Sequence, residues 1–172
     1  MTVVAALLII TASECIPEAE SDEGEPILND TLIYGDSILD HFVRLVDEAE
    51  RSILIATYKL TSEKALNALL KAGERGVDIR LLVDDDAADK KNSLVISAEK
   101  NGLTVRRWQT DRLGKLHAKI YIFDKTTVAL GSFNLSESAG TTNQEVLLLT
   151  QDMGIVEQAL AFWHTLDEQA RE

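Results

Sequence analysis

Two short stretches of this 172-residue chain concentrate residue types that handle phosphoryl groups. His117 and Lys119 stand two positions apart, so on a β-strand both side chains point to one face. That spacing sets an imidazole beside an ammonium. Twelve residues after Lys119, a second apolar run closes on Gly131, Ser132, Phe133 and Asn134. Ser132 and Asn134 again share a face and supply neutral hydrogen-bond donors. Gly131, lacking a Cβ, permits backbone to approach a ligand closely. An imidazole, a cation and two neutral donors match the needs of an anionic phosphoryl group. They provide charge neutralisation, oriented donors, and a group that attacks or shuttles protons.

These side chains need elements to hold them. Residues 118–123 and 126–131 read as two strands joined by a turn at Asp124-Lys125, and residues 145–150 as another strand. Upstream, residues 31–34 form a short strand, and residues 37–51 place Ile38, Phe42, Leu45, Val46 and Ala49 on one helical stripe. Residues 52–58 (SILIATY) and 77–83 read as buried strands around a helix over 62–75, capped by Ser62 and stopped at Gly76. A helix over 90–101, a strand over 103–108 and a closing helix over 154–170 complete the series. This alternation predicts an α/β fold, a mixed and mostly parallel sheet with helices on both faces. It occupies residues 31–172, with residues 1–30 as a separate N-terminal region.

The two stretches resemble the signature of the phospholipase D superfamily, H-x-K-x4-D followed by G-S-x-N. Here it reads His117, Lys119, Asp124, then Gly131, Ser132 and Asn134. Six fixed residues at about 5% each would arise by chance in such a chain on the order of a few times per million. The likeness runs from about residue 31 to 168, through SILIATYKLTS, ALLKAGERGVDIRLLVD and FWHTLDE.

The resemblance implies a phospholipase D-like fold and a phosphodiesterase that uses no metal or other cofactor. It implies that His117 is the nucleophile and forms a phosphohistidine. Lys119 and Asn134 would hold the phosphoryl oxygens, with Ser132 assisting, and Glu145 would orient the imidazole. A carboxylate there fixes the tautomer and supports the positive ring. Asp124 belongs to the signature but sits at a turn, and is expected to be structural more than catalytic. The family's mechanism uses two such motifs, and this chain has one. His41 and His164 fall on predicted helices without a lysine two residues on. The resolution is a homodimer through the active-site face, where two copies of His117 meet and a monomer is inactive.

The net charge is −12, but it is unevenly spread. Residues 1–50 carry a net −11, with Arg44 their only base, so the remainder is almost balanced. Residues 100–125 hold seven bases against two acids, leading into the motif. Arg112 and Lys115, in the loop before His117, and Lys59, at a strand end, are candidate contacts for flanking phosphates. Asp84, Asp85 and Asp86 follow a buried strand, a place for Mg²⁺ carboxylates, and are read instead as a polar loop. One cysteine, Cys15, excludes an intramolecular disulfide and a multi-cysteine zinc site. Trp108 and Trp163 are read as core or interface residues.

Residues 2–11 form an apolar run, read as a strand ahead of a signal or anchor, because no Lys or Arg precedes it and no A-x-A site follows. A cytoplasmic setting is slightly favoured over an exported one. Residues 13–30 carry seven acids and both prolines and read as a linker that could cover the basic groove. The expected activity is cleavage of DNA or RNA. The alternatives are hydrolysis of phospholipid head groups, or a non-catalytic module that binds nucleic acid or a protein partner.

Overall fold

The computed structural model describes residues 30–170. The expectations for residues 2–11 and for the acidic linker therefore lie outside the described residues, Asp30 excepted. Strand β1 (Thr31–Tyr34) leads into α1 (Ile38–Glu48), whose Ile38, Phe42, Leu45 and Val46 are buried as the 3.6-residue spacing requires. Strand β2 (Ser52–Thr57) is buried at every position, which marks it as a central strand covered on both faces. Helix α2 (Glu63–Glu74) begins where the Ser62 hydroxyl accepts the Ala65 N–H at 3.3 Å. It ends before Gly76, whose φ of +92° suits a residue without a Cβ. Strand β3 (Asp78–Asp84) then lies parallel to β2, with Ile53 opposite Ile79.

After β3 come two short helices, α3 (Asp85–Ala88) and α4 (Val95–Lys100), then β4 (Thr104–Trp108), parallel to β3. A single helix over 90–101 was expected. The chain instead breaks at residues 89–94, where no apolar periodicity holds a helix against the sheet. Helix α5 (Thr110–Leu113) precedes β5 (Ile120–Phe123), β6 (Thr127–Gly131), α6 (Glu137–Thr141), β7 (Val146–Thr150) and α7 (Met153–Gln169). The seven strands form one sheet in the order β1-β7-β6-β5-β2-β3-β4.

The mixed sheet with helices on both faces is as expected, but its parallel share is smaller. Only β2–β3 and β3–β4 are parallel; β2–β5, β5–β6, β6–β7 and β1–β7 are antiparallel. The cause is the connections. Parallel neighbours need a crossover, usually a helix. The turn between β5 and β6 instead holds Asp124 and Lys125 at φ 52° and 61°, the left-handed conformation of a tight hairpin.

Helices α1, α2 and α4 cover one face around Phe42, Leu69 and Tyr121. Helix α7 covers the other, setting Val156, Ala159 and Trp163 on Leu54, Ile122 and Val128. Trp108 and Trp163 are both buried, as the sequence suggested. Removing a buried Trp side chain costs about 3–5 kcal/mol, so Trp163 alone holds a large part of the α7 face.

Candidate active site

The topology decides where the polar residues gather. Strands β5 and β7 run antiparallel to β2 and β6. The ends of β2 and β6 therefore lie beside the beginnings of β5 and β7. Tyr58 and Lys59, His117 and Lys119, Ser132 and Asn134, and Glu145 meet at this one end of the sheet. The register sets Ile120 opposite Leu130, and the Gly131 N–H donates to the Lys119 carbonyl at 3.2 Å. The two halves of the signature are thus joined by the backbone.

His117 is exposed, whereas Lys119 is buried, at 5% exposure. The Lys119 ammonium donates to the His117 carbonyl at 2.6 Å and lies 3.1 Å from His117 Nδ1. An ammonium donating to Nδ1 leaves the ring proton on Nε2. Burial pulls the Lys119 pKa down; the Glu145 carboxylate opposes that shift and the Lys59 ammonium adds to it. Lys59 lies at the same end of the sheet, two residues beyond β2. The Tyr58 ring lies 5.6 Å from the His117 ring, centroid to centroid, tilted at 45°. Nothing in the sequence pattern singled out Tyr58; it was read as the last residue of the strand over 52–58, which ends at Thr57.

Glu145 sits at the site but binds differently from expectation. Its carboxylate accepts the Ser132 hydroxyl, and the Asn143 amide donates to Oε1 at 2.9 Å. Among the described residues no hydrogen bond joins it to His117. Ser132 Oγ in turn accepts the Val146 N–H at 3.1 Å, so Ser132 locks β6 to β7 as well as lining the site. Asn134 Oδ1 lies 3.5 Å from the Thr57 hydroxyl, leaving its amide free to donate. Phe133 between them is fully buried, and its carbonyl accepts the Tyr121 hydroxyl at 2.5 Å. This anchor aims the two neighbouring polar side chains outward.

Gly131 has a different reason from the one the sequence suggested. A Cβ there would stand 2.1 Å from the Val146 carbonyl oxygen. The glycine lets β7 close on β6, which brings Glu145 to Ser132. Asp124 is at the opposite end of β5. Its carboxylate accepts the backbone N–H groups of Glu50, Arg51 and Ser52 at 2.7–2.9 Å. Burial alone would raise its pKa, but these three donors and the Arg51 charge hold it below the usual range. Asp124 therefore pins the β5–β6 turn to the start of β2.

The three arginines of the basic cluster are engaged within the chain. Arg106 pairs with Asp167, and Arg107 with Asp89 and Glu99. Arg112 donates to the Gln169 carbonyl at 2.7 Å, which ties it to the end of α7 instead of to the site. Lys115 is exposed two residues before His117. The run Asp84-Asp85-Asp86 is no open carboxylate cluster. Asp84 and Asp85 accept N–H groups from Ala87, Leu116, Asp86 and Thr110. Among the described residues no group of three or more His, Cys, Asp or Glu side chains is arranged to hold a metal ion. An apolar edge went unforeseen. Leu32 and Tyr34 of β1 are exposed, and Tyr34 pairs with exposed Val146, next to Glu145.

The chain is similar to several known proteins. A family described as cardiolipin synthase, PLD-like domain, matches residues 42–166, a span that contains every site residue named above. A phospholipase D from Rickettsia conorii is 31% identical over 119 residues, covering 69% of this chain and 58% of that protein. Cardiolipin synthase A of Pseudomonas aeruginosa is 35% identical over 119 residues, 66% of this chain and 24% of the synthase. The chain thus spans less than two thirds of the length of these curated relatives. Among solved structures, Nuc from Salmonella typhimurium, a phospholipase D family member, superposes with a TM-score of 0.73 at 26% identity. The match covers 82% of this chain and 96% of Nuc.

Proposed function

The chain belongs to the phospholipase D superfamily, and on that premise we propose that it is a metal-independent endonuclease whose site is completed by a second copy of itself. The observation that carries this reading is a single imidazole–ammonium pair, His117 with Lys119, at an open end of the sheet. In-line attack on a phosphodiester needs one group to attack and another to protonate the leaving oxygen. One copy supplies one imidazole, and a two-fold axis through this face supplies the second.

The copy that protonates the leaving oxygen must carry a proton on both ring nitrogens, since a neutral ring would be left as an imidazolate; Lys119 there keeps the His117 carbonyl as its acceptor. In the attacking copy, phosphoryl charge draws Lys119 onto a non-bridging oxygen and frees Nδ1 to carry the proton. The Nε2 lone pair then attacks phosphorus, the P–O bond to the leaving group breaks, and that oxygen takes the proton from His117 of the second copy. Water, deprotonated by that same second imidazole, displaces the phosphohistidine nitrogen. Lys119 and Asn134 hold the non-bridging oxygens in both steps, with Lys59 and Lys115 as rim cations for flanking phosphates.

Nucleic acid is the favoured substrate because the site is open and polar and because Nuc, matched over 96% of its length, is built of the same single unit. A phospholipid substrate is the second reading. The exposed Tyr34 and Val146 beside Glu145, and the names of the two curated relatives, support it.

The test is cleavage of single- and double-stranded DNA, RNA and phospholipid vesicles in excess EDTA, with His117→Ala as control. Nucleic-acid cleavage by the wild type alone supports the proposal. Cleavage of lipid only transfers it to the second reading, and unchanged cleavage by His117→Ala refutes the site. Mixing subunits tests the dimer. If two imidazoles are required, activity follows the square of the wild-type fraction in mixtures with His117→Ala; independent sites follow the fraction itself.

A further inference from the structure

Asp84 has no exposed surface, although it carries a carboxylate. A buried charge persists only where its oxygens are satisfied. Oδ1 accepts the Ala87 N–H at 3.3 Å, which caps the short α3. Oδ2 accepts the Leu116 N–H at 2.9 Å and the Thr110 hydroxyl at 2.8 Å. Leu116 is the residue before His117.

The chain between α5 and β5 has no regular hydrogen-bonded structure of its own, because the β5 ladder begins only at Ile120. The backbone that delivers His117 is instead fixed from outside. One Asp84 oxygen ties the first residue of α5, Thr110, to Leu116 in the segment that follows the helix. The Thr110 N–H donates to Asp85 Oδ1 at 3.0 Å, and Trp108 Nε1 donates to the Gly114 carbonyl at 2.6 Å, closing the loop between those ties. Lys119 then reaches back to the His117 carbonyl from the ladder side. His117 is thus held between a buried carboxylate on one side and the first strand-bound residues on the other.

We propose that Asp84 is a positioning residue for His117. It touches no substrate; through the Leu116 backbone it sets the imidazole against Lys119 Nζ and toward the phosphorus. This role is separate from metal binding, since both its oxygens face backbone and hydroxyl donors. Its kinetic consequence rests on the phosphodiesterase reading given above; its structural consequence does not.

The experiment compares wild type, Asp84→Asn and Thr110→Val. Asparagine keeps one acceptor oxygen but loses the charge, and valine removes one donor without touching the carboxylate. Three readouts are taken: hydrolysis of bis(p-nitrophenyl) phosphate, the imidazole ¹H–¹⁵N resonances of His117, and hydrogen exchange of the Leu116 amide. For Asp84→Asn we expect kcat to fall about ten-fold or more with KM nearly unchanged, as misplacement of a reacting group by a fraction of an ångström produces. The His117 ring resonances should shift and the Leu116 amide should exchange faster. Thr110→Val should show the same pattern at smaller amplitude, and it carries the test if Asp84→Asn fails to fold. Loss of thermal stability with wild-type kcat and unshifted His117 resonances would overturn the proposal. If the wild type hydrolyses no diester, the functional reading fails, and the ring resonances and amide exchange still decide whether Asp84 positions His117.

Discussion

Strand β5 joins two ends of the molecule that treat charge in opposite ways. Where it begins, Lys119 is buried with its ammonium on the His117 carbonyl and ring, and burial lowers its pKa. The groups around it, His117, Ser132 and Glu145, keep exposed surface and donors or acceptors for a ligand. Where β5 ends, Asp124 is surrounded by three backbone N–H groups that favour its charged form. One end holds a charge at a cost to the fold and leaves it available. The other holds a charge that the fold itself satisfies. The signature H-x-K-x4-D therefore spans both a chemical site and a structural pin, and the length of one strand separates them.

That contrast can be broken by exchanging the effects of two substitutions. Lys119→Met should reduce diester cleavage by about 10²–10³-fold, the usual result of removing a preorganised donor to developing charge. Its thermal midpoint should stay level or rise. The sign follows from the lowered pKa: the charged form is disfavoured in the fold, and that cost applies at every pH where the unfolded lysine is protonated. A marked fall in stability would place Lys119 with the structural residues. Asp124→Ala should do the reverse, lowering stability by about 2–3 kcal/mol in denaturant unfolding while the folded enzyme keeps its kcat. Loss of kcat at full stability would move Asp124 into the site.

Gly131→Ala sharpens the comparison because it sits where the ends of two strands must close. The added methyl meets the Val146 carbonyl, so an overpacking cost of about 1–3 kcal/mol is expected. Since β7 carries Glu145, activity should fall with it, and a variant that lost neither would show that β7 can shift freely. The smallest effect concerns acid. The depressed pKa of Asp124 gives stability that is fully present above the unfolded aspartate value, about 3.9, and lost as pH falls through the folded value. Asp124→Asn should flatten the decline in stability below about pH 4 relative to wild type, as followed by circular dichroism.

Much of this is legible in the sequence. The stripe of Ile38, Phe42, Leu45 and Val46, the cap at Ser62 and the stop at Gly76 are local signals, and each lies where expected. The His117–Lys119 pair was legible from residue types and spacing, and the two side chains do meet, although both residues precede β5 instead of lying on it. Strand direction was not, since alternation of strands and helices does not say which connections cross over. Partner choice was not either. Glu145 reaches Ser132 on the neighbouring strand, and Arg112 reaches the end of α7, through contacts between residues separated in sequence. The seven bases of residues 100–125 looked like a binding surface because composition counts charges without counting their intramolecular partners. Asp84 was hidden for the same reason, as one acid among three consecutive ones.

The central claim is that His117 is the nucleophile at the open end of this sheet. Rapid quench of the wild type with ³²P-labelled diester at alkaline pH, followed by peptide mapping, tests it most directly. The account predicts a transient, acid-labile and base-stable phosphate on the peptide containing His117, present in excess EDTA and absent from His117→Ala. Label on Ser132, or rapid turnover by the wild type with no label on protein at any time, would contradict it.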